Sequence, residues 1–250
     1  MKKLTIVLVS GILIVAAGSP QARPQAGQAK ATVKISGRVT DFDGRPVEGA
    51  TIEVKNSRFD NAARAISDKD GRYSITVPKG VYMALAAVKD YQLRCLEYWA
   101  WTVPAERDLV IDPRFDRLEV YAMNAWRPQG GYPSLQVYFR PMSLTKTVKA
   151  VQAAGGMENL GKLKSIDIAP ELAPDDIRVA IDGQPVRILQ LSKVREASGP
   201  DQYLTGYLIQ VSLPEKPPAE GYFPITITVT DRATGEKGEG CLFFRPAPLL

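Results

Sequence analysis

The chain has no histidine and only two cysteines, Cys95 and Cys241, among its 250 residues. Without an imidazole there is no Ser-His-Asp or Cys-His relay and no histidine-bearing zinc site, and two thiols cannot build a four-cysteine one. Glycine pairs such as Gly130-Gly131 and Gly155-Gly156 stand alone, so no phosphate-cradling or dinucleotide pattern forms. Beyond the N-terminal segment, no apolar run approaches the ~20 residues a membrane-spanning helix needs, so the mature chain is expected to have no stable membrane span. Charge is close to balanced, with 32 Lys plus Arg against 27 Asp plus Glu and a formal net charge of +5. The basic residues are dispersed and do not alternate with aromatics as a nucleic-acid groove requires, so no nucleic-acid partner is expected. No cofactor is implied.

The N-terminus reads as an export signal. Lys2 and Lys3 precede an apolar run from Leu4 to Ala17, followed by the small, turn-prone Gly18-Ser19-Pro20-Gln21-Ala22. Ser19 stands where a lipoprotein signal needs cysteine, which points to secretion without a lipid anchor. Residues 1–22 are therefore expected to be a signal peptide and residues 23–32 a polar flexible tether, placing the mature chain in the periplasm or outside the cell.

From Val33 onward, short alternating apolar segments follow one another at turn-separated spacing. Val33 to Val39, Arg72 to Val77, Leu135 to Phe139, Ile177 to Ile181 and Phe223 to Thr230 carry the clearest period of two, the last with Ile225, Ile227 and Val229 on one face and three threonines on the other. Asp41 with Gly44, Asp68 with Gly71, and Asp182 with Gly183 mark turns, in which aspartate bonds back to the backbone and glycine takes positive φ. Asp68 to Gly71 is expected to join two antiparallel strands. A short helix fits within Lys146 to Leu163, broken by Gly155-Gly156. The pattern predicts an all-β fold of two β-sandwich modules, residues 33–126 and 134–250, joined by a Pro/Gly-rich linker at 127–133. Trp126 beside that linker is expected to be buried between the modules.

Ile35-Ser36-Gly37-Arg38-Val39, Gly44-Arg45-Pro46-Val47-Glu48-Gly49-Ala50 and Ser67-Asp68-Lys69-Asp70-Gly71-Arg72-Tyr73 resemble, in order, the elements of the carboxypeptidase regulatory-like family. The resemblance covers about Val33 to Asn124. It implies a transthyretin-like sandwich used as an accessory module of secreted and surface proteins, with Gly37 close-packed, Gly49-Ala50 opening a strand and Tyr73 anchoring the core. The implied motif is not catalytic. Residues 134–250 match no named family, and an immunoglobulin-like sandwich there follows from pattern alone.

Function is then read from side chains. The leading reading is a non-catalytic, exported envelope module that contacts a protein partner or positions another component. An alternative is a carbohydrate-binding module using Trp99, Trp101, Trp126 or Tyr132, and a third is a hydrolase with paired carboxylates. The aspartate turns lack the spacing of a calcium loop, and no metal site is expected. Cys95 and Cys241 fall in different predicted modules; separate buried thiols and a disulfide pinning the two modules both fit the sequence.

Overall fold

The computed structural model describes residues 31–128, 130–163, 165–166, 168–218 and 220–246; the expected signal peptide and the tether up to Lys30 lie outside the described residues. The fold is all-β, in three layers. In the first, β1 (Thr32–Arg38) lies between β4 (Arg72–Pro78), antiparallel with Ile35 opposite Ile75, and β7 (Leu109–Val110), which runs parallel to it. The middle layer has eight strands in the order β11 (Gln184–Val186), β10 (Ile177–Ile181), β14 (Phe223–Thr230), β15 (Lys237–Phe244), β6 (Tyr98–Ala105), β5 (Gly80–Val88), β2 (Thr51–Lys55), β3 (Asn61–Ile66). The last layer is β12 (Ile188–Gly199), β13 (Gln202–Ser212), β9 (Ser134–Ser143) and β8 (Leu118–Trp126). One helix, α1 (Leu144–Ala154), follows β9; Ser143 Oγ caps it by accepting from Lys146 N, and Gly155 closes it at φ 74°.

Alternation along each strand sorts the apolar side chains into two cores. Ile35, Tyr73, Ile75 and Val77 of the first layer meet Ile52, Val54, Leu85, Tyr98 and Val103 of the middle sheet. Leu118, Val137, Phe139 and Ile209 of the last layer meet Ile181, Ile225, Ile227 and Val229. Removing such a side chain from water stabilises by roughly 1.5–3 kcal/mol each. Tyr73 keeps its hydroxyl satisfied by donating to Ile111 O at 2.8 Å. Gly37 is fixed by contact, since a Cβ there would lie 1.8 Å from Ile111 O.

Strand β15 serves both cores. It pairs antiparallel with β14 and parallel with β6, Cys241 opposite Ala100. Cys241 and Phe243 enter the first core and Leu242 the second. Strand β8 crosses over β15 at backbone distance: a Cβ on Gly238 would sit 2.2 Å from Leu118 O, and one on Gly240 2.7 Å from Val120 O.

Several expectations change. Residues 127–133 do not link two bodies; they connect β8 to β9, which are antiparallel neighbours with Trp126 opposite Gln136. A hairpin loop and a linker share the same Pro/Gly composition, and only pairing separates them. Residues from Leu118 on belong to the second core, while the end of β15 returns to the first, so the 33–126 and 134–250 division cuts across both cores. Residues 31–250 form one compact unit. The turn at Asp68, whose Oδ1 accepts from Asp70 N and Arg72 N, does not close a hairpin: β3 pairs with β2 and β4 with β1, so this turn carries the chain from one sheet to another. Asp41 organises the turn to Gly44 (φ 80°) in the same way, and Asp182-Gly183, both at positive φ, closes the β10–β11 hairpin. Both cysteines are free and both pack on the first core, Cys95 half-buried and Cys241 buried, so they do not occupy separate cores. Burial pushes the Cys241 thiol up to about 12 and that of Cys95 upward as well.

Two outcomes follow. Gly238→Ala should destabilise the fold by about 3 kcal/mol, the upper part of the overpacking range, because the new methyl meets backbone; Gly80→Ala, which meets nothing, should stay within about 0.5 kcal/mol. Urea denaturation measures both. Thiol labelling of unfolded, unreduced protein should count two cysteines, and native labelling should leave Cys241 unreacted; a count of zero would contradict the free-thiol arrangement.

Candidate functional site

Trp99 and Trp101 project from the same face of β6, on the side away from the first core. Their rings stack with centroids 5.2 Å apart and planes at 18°. Phe59 stacks on Trp99 at 5.6 Å, and Tyr121 of β8 meets both indoles edge-on at 5.2 and 5.0 Å. The Arg140 guanidinium lies 4.8 Å from the Tyr121 ring centroid and bonds Glu196 at 2.9 Å, and Glu196 also accepts from Tyr138. Trp99 is buried and Trp101 half-buried, so this aromatic pair joins sheets instead of presenting open ring faces. Beside Trp101 a cleft of about 450 Å³ opens between Ser57, Met83, Thr102 and Asn124. Ala122 (φ 52°) lies in the bulge of β8 between Tyr121 and Asn124, and Thr102 of β6 also takes a positive φ, 56°, with the β5–β6 register unbroken around it.

The buried ionisable group at this junction is Glu119. It is 1% exposed, its Oε1 accepts from Trp99 Nε1 at 2.9 Å, and its Oε2 has no partner. Trp101 Nε1 and Arg140 Nε are likewise buried and unpartnered. Burial, then the nearby Glu97 charge, pushes the Glu119 carboxyl up to about 8, and burial pushes Glu97 up too. Such a carboxyl is protonated at neutral pH.

The other two aromatic candidates are solvent-facing. Trp126 is 45% exposed at the end of β8, so it is not buried at an interface, and Tyr132 is 65% exposed in the β8–β9 loop. Strand register sets Trp126 in a straight row across the outer face of the four-stranded sheet: Trp126 opposite Gln136, Gln136 opposite Gln210, Gln210 opposite Gln190. The next row on that face is Asn124, Tyr138, Leu208 and Ser192. A groove of about 330 Å³ follows these rows, lined by Trp126, Pro128, Gln136, Gln190, Ser192, Leu208 and Gln210. Sequence reasoning proposed Trp126 but not its glutamine partners, because their alignment exists only through register; Glu119 was detectable only as an acid in the apolar run Leu118 to Val120. Among the described residues no group of three or more His, Cys, Asp or Glu is placed to hold a metal.

The raised Glu119 carboxyl fixes the sign of a pH effect. Above the ordinary carboxyl value of about 4.3 the unfolded chain has released this proton while the folded chain keeps it, so this group lowers stability as pH rises toward about 8, after which its effect levels off. Glu119→Gln, which keeps an acceptor for Trp99, should therefore gain stability over the parent progressively from pH 5 to pH 8 in urea titrations. An equal difference at all pH values would contradict a protonated Glu119.

Residues 34–111 match the carboxypeptidase regulatory-like domain family. No curated protein matches the chain. Among solved structures, the major pilin subunit BcpA of Bacillus cereus is 10% identical over 85% of this chain and 67% of that one, with TM-score 0.29. A DUF3823 family protein from Parabacteroides merdae is 10% identical over 87% and 100%, with TM-score 0.26. The full-length major pilin SpaD from Corynebacterium diphtheriae is 8% identical over 85% and 64%, with TM-score 0.25. The ordered glycine and aspartate elements from Gly37 to Gly71, the Tyr73 anchor and the first core they serve thus belong together: residues 34–111 of this chain are a carboxypeptidase regulatory-like domain.

Proposed function

We propose that this chain is an exported, non-catalytic module of the cell envelope that works by protein contact, with a transthyretin-like first core and an immunoglobulin-like second core as its scaffold. The observation that carries the reading is the edge strand β12. It is twelve residues long, and among the described residues it pairs only with β13, leaving a row of backbone donors and acceptors on its outer side. An edge of this length is a template for a strand from another chain, in which main-chain hydrogen bonds give affinity and side chains give selection. Charged Lys193, Arg195 and Glu196 along it discourage indiscriminate pairing. Glu196 also ties β12 to Tyr138 and Arg140 of β9, so the edge is held ready instead of being ordered on binding, which lowers the cost of association.

Three buried carboxylates, Glu236, Glu239 and Asp176, support a scaffold reading. Glu236 accepts from Arg117, Ser143 and Thr145, Glu239 from Arg114 and Thr228, and Asp176 from Arg232 and Ala173 N. Each is bound to structural partners. A photo-reactive residue introduced at exposed Ala197, activated in cells exporting the full chain, should yield a discrete protein adduct. The same residue placed at Gly80 should not, and absence of any adduct at Ala197 would overturn the strand-edge reading.

A further inference from the structure

We infer that the outer face of the four-stranded sheet is a binding site for neutral oligosaccharides. This goes beyond the protein-contact reading and stands on a different surface, the side-chain face of the sheet instead of its backbone edge.

The groove there has a lining without charge. All seven of its lining residues are uncharged, in a chain with a formal net charge of +5. None of the lining residues offers an ion pair to a charged partner. What it offers is one open indole and a file of amides. A pyranose ring has one face of C–H groups and a rim of hydroxyls. The exposed Trp126 ring supplies an apolar, electron-rich surface for the first, as aromatic side chains do for polarised C–H and cationic edges. Each glutamine supplies two N–H donors and a carbonyl acceptor, matching hydroxyls that both donate and accept. Gln210 donates to Ser134 Oγ at 2.8 Å and Gln190 to Ser192 Oγ at 3.3 Å, which orients both amides while their carbonyl oxygens keep acceptor capacity.

Spacing selects an extended ligand. Neighbouring strands lie about 4.8 Å apart, so the row from Trp126 to Gln190 spans roughly 14 Å. That length suits several linked sugars lying across the strands, with Leu208 as an apolar floor between the amides. The platform is rigid, because the opposite faces of β9 and β13 place Val137, Phe139, Ile209 and Val211 in the second core with no exposure. A preformed array loses little entropy on binding.

The test is calorimetric titration of the full chain with cellohexaose, xylohexaose, mannohexaose, maltohexaose and chitohexaose. At least one should bind. Trp126→Ala should weaken that binding about tenfold or more, and Gln136→Ala should weaken it measurably, while both variants keep a cooperative melting transition, since neither side chain belongs to the buried core. Ala197→Arg, on the strand edge, should leave it unaltered, so failure of the protein-contact reading and failure of this one give different results. The inference is overturned if none of the panel binds, or if a bound sugar retains its parent affinity in Trp126→Ala.

Discussion

Everything in this molecule depends on β15 being buried on both faces. A strand with one wet face can alternate apolar and polar residues; β15 cannot, and its sequence Lys237-Gly-Glu-Gly-Cys-Leu-Phe-Phe244 shows how each position is resolved. Its first half has no bulk where β8 lies against it, because Gly238 and Gly240 leave space for the carbonyls of Leu118 and Val120. Its second half sends Cys241 and Phe243 one way and Leu242 the other. Parallel pairing with β6 then ties the C-terminal strand to the carboxypeptidase regulatory-like domain. The middle sheet this domain contributes to is extended by strands from the second half of the chain. The two cores therefore share a wall, and hinge motion between them would require breaking a sheet.

A shared wall creates corners, and the buried charges sit at them. Glu236, in the β14–β15 turn, reaches the start of α1, accepting from Thr145 N at 3.0 Å and Thr145 Oγ1 at 2.6 Å while Arg117 approaches at 3.1 Å. A carboxylate at a helix N-terminus satisfies orphan N–H groups and complements the helix dipole. Glu239, within β15, instead accepts from Thr228 and from Arg114, whose guanidinium lies 5.2 Å from the Phe42 ring. Leaving one member of such a set unpaired inside protein costs more than the set contributes when whole, so these contacts specify which strands meet more than they raise stability. Glu119 is the exception at the third corner, a carboxyl with one oxygen bonded to Trp99 and the other to nothing, kept neutral by its surroundings.

Local features were legible in the sequence wherever one segment decided them. The period of two in Phe223 to Thr230 gives the buried Ile225, Ile227 and Val229 because alternation is a property of the strand itself. The Asp41, Asp68 and Asp182 turns follow from side-chain bonds two and four residues away or from paired positive φ angles. What the sequence hid was non-local. Nothing in Gly240 to Leu242 announces β6 as a parallel partner, and nothing in residues 127–133 distinguishes a hairpin loop from a linker. The Asp68 turn was recognisable as a turn, yet which sheets it joins depends on strands far away in sequence. The same limit applied to function: Trp99 and Trp101 share the period that puts them on one face, but whether that face is open depends on Tyr121 and Arg140 arriving from β8 and β9.

The contrast among the three tryptophans carries this one step further. All lie in strands, and residue type alone ranks them equally as binding aromatics. Their difference comes from the bulged crossing of β8 over the middle sheet. Before the bulge at Ala122, the outward residues Glu119 and Tyr121 meet β6 and seal the indoles of Trp99 and Trp101 into a joint. Past it, Asn124 and Trp126 look out over the open four-stranded sheet and align with Tyr138 and Gln136. One strand thus divides its outer face between structure and solvent. The close approach permitted by Gly238 and Gly240 sets where the division falls, since it fixes how β8 lies on β15.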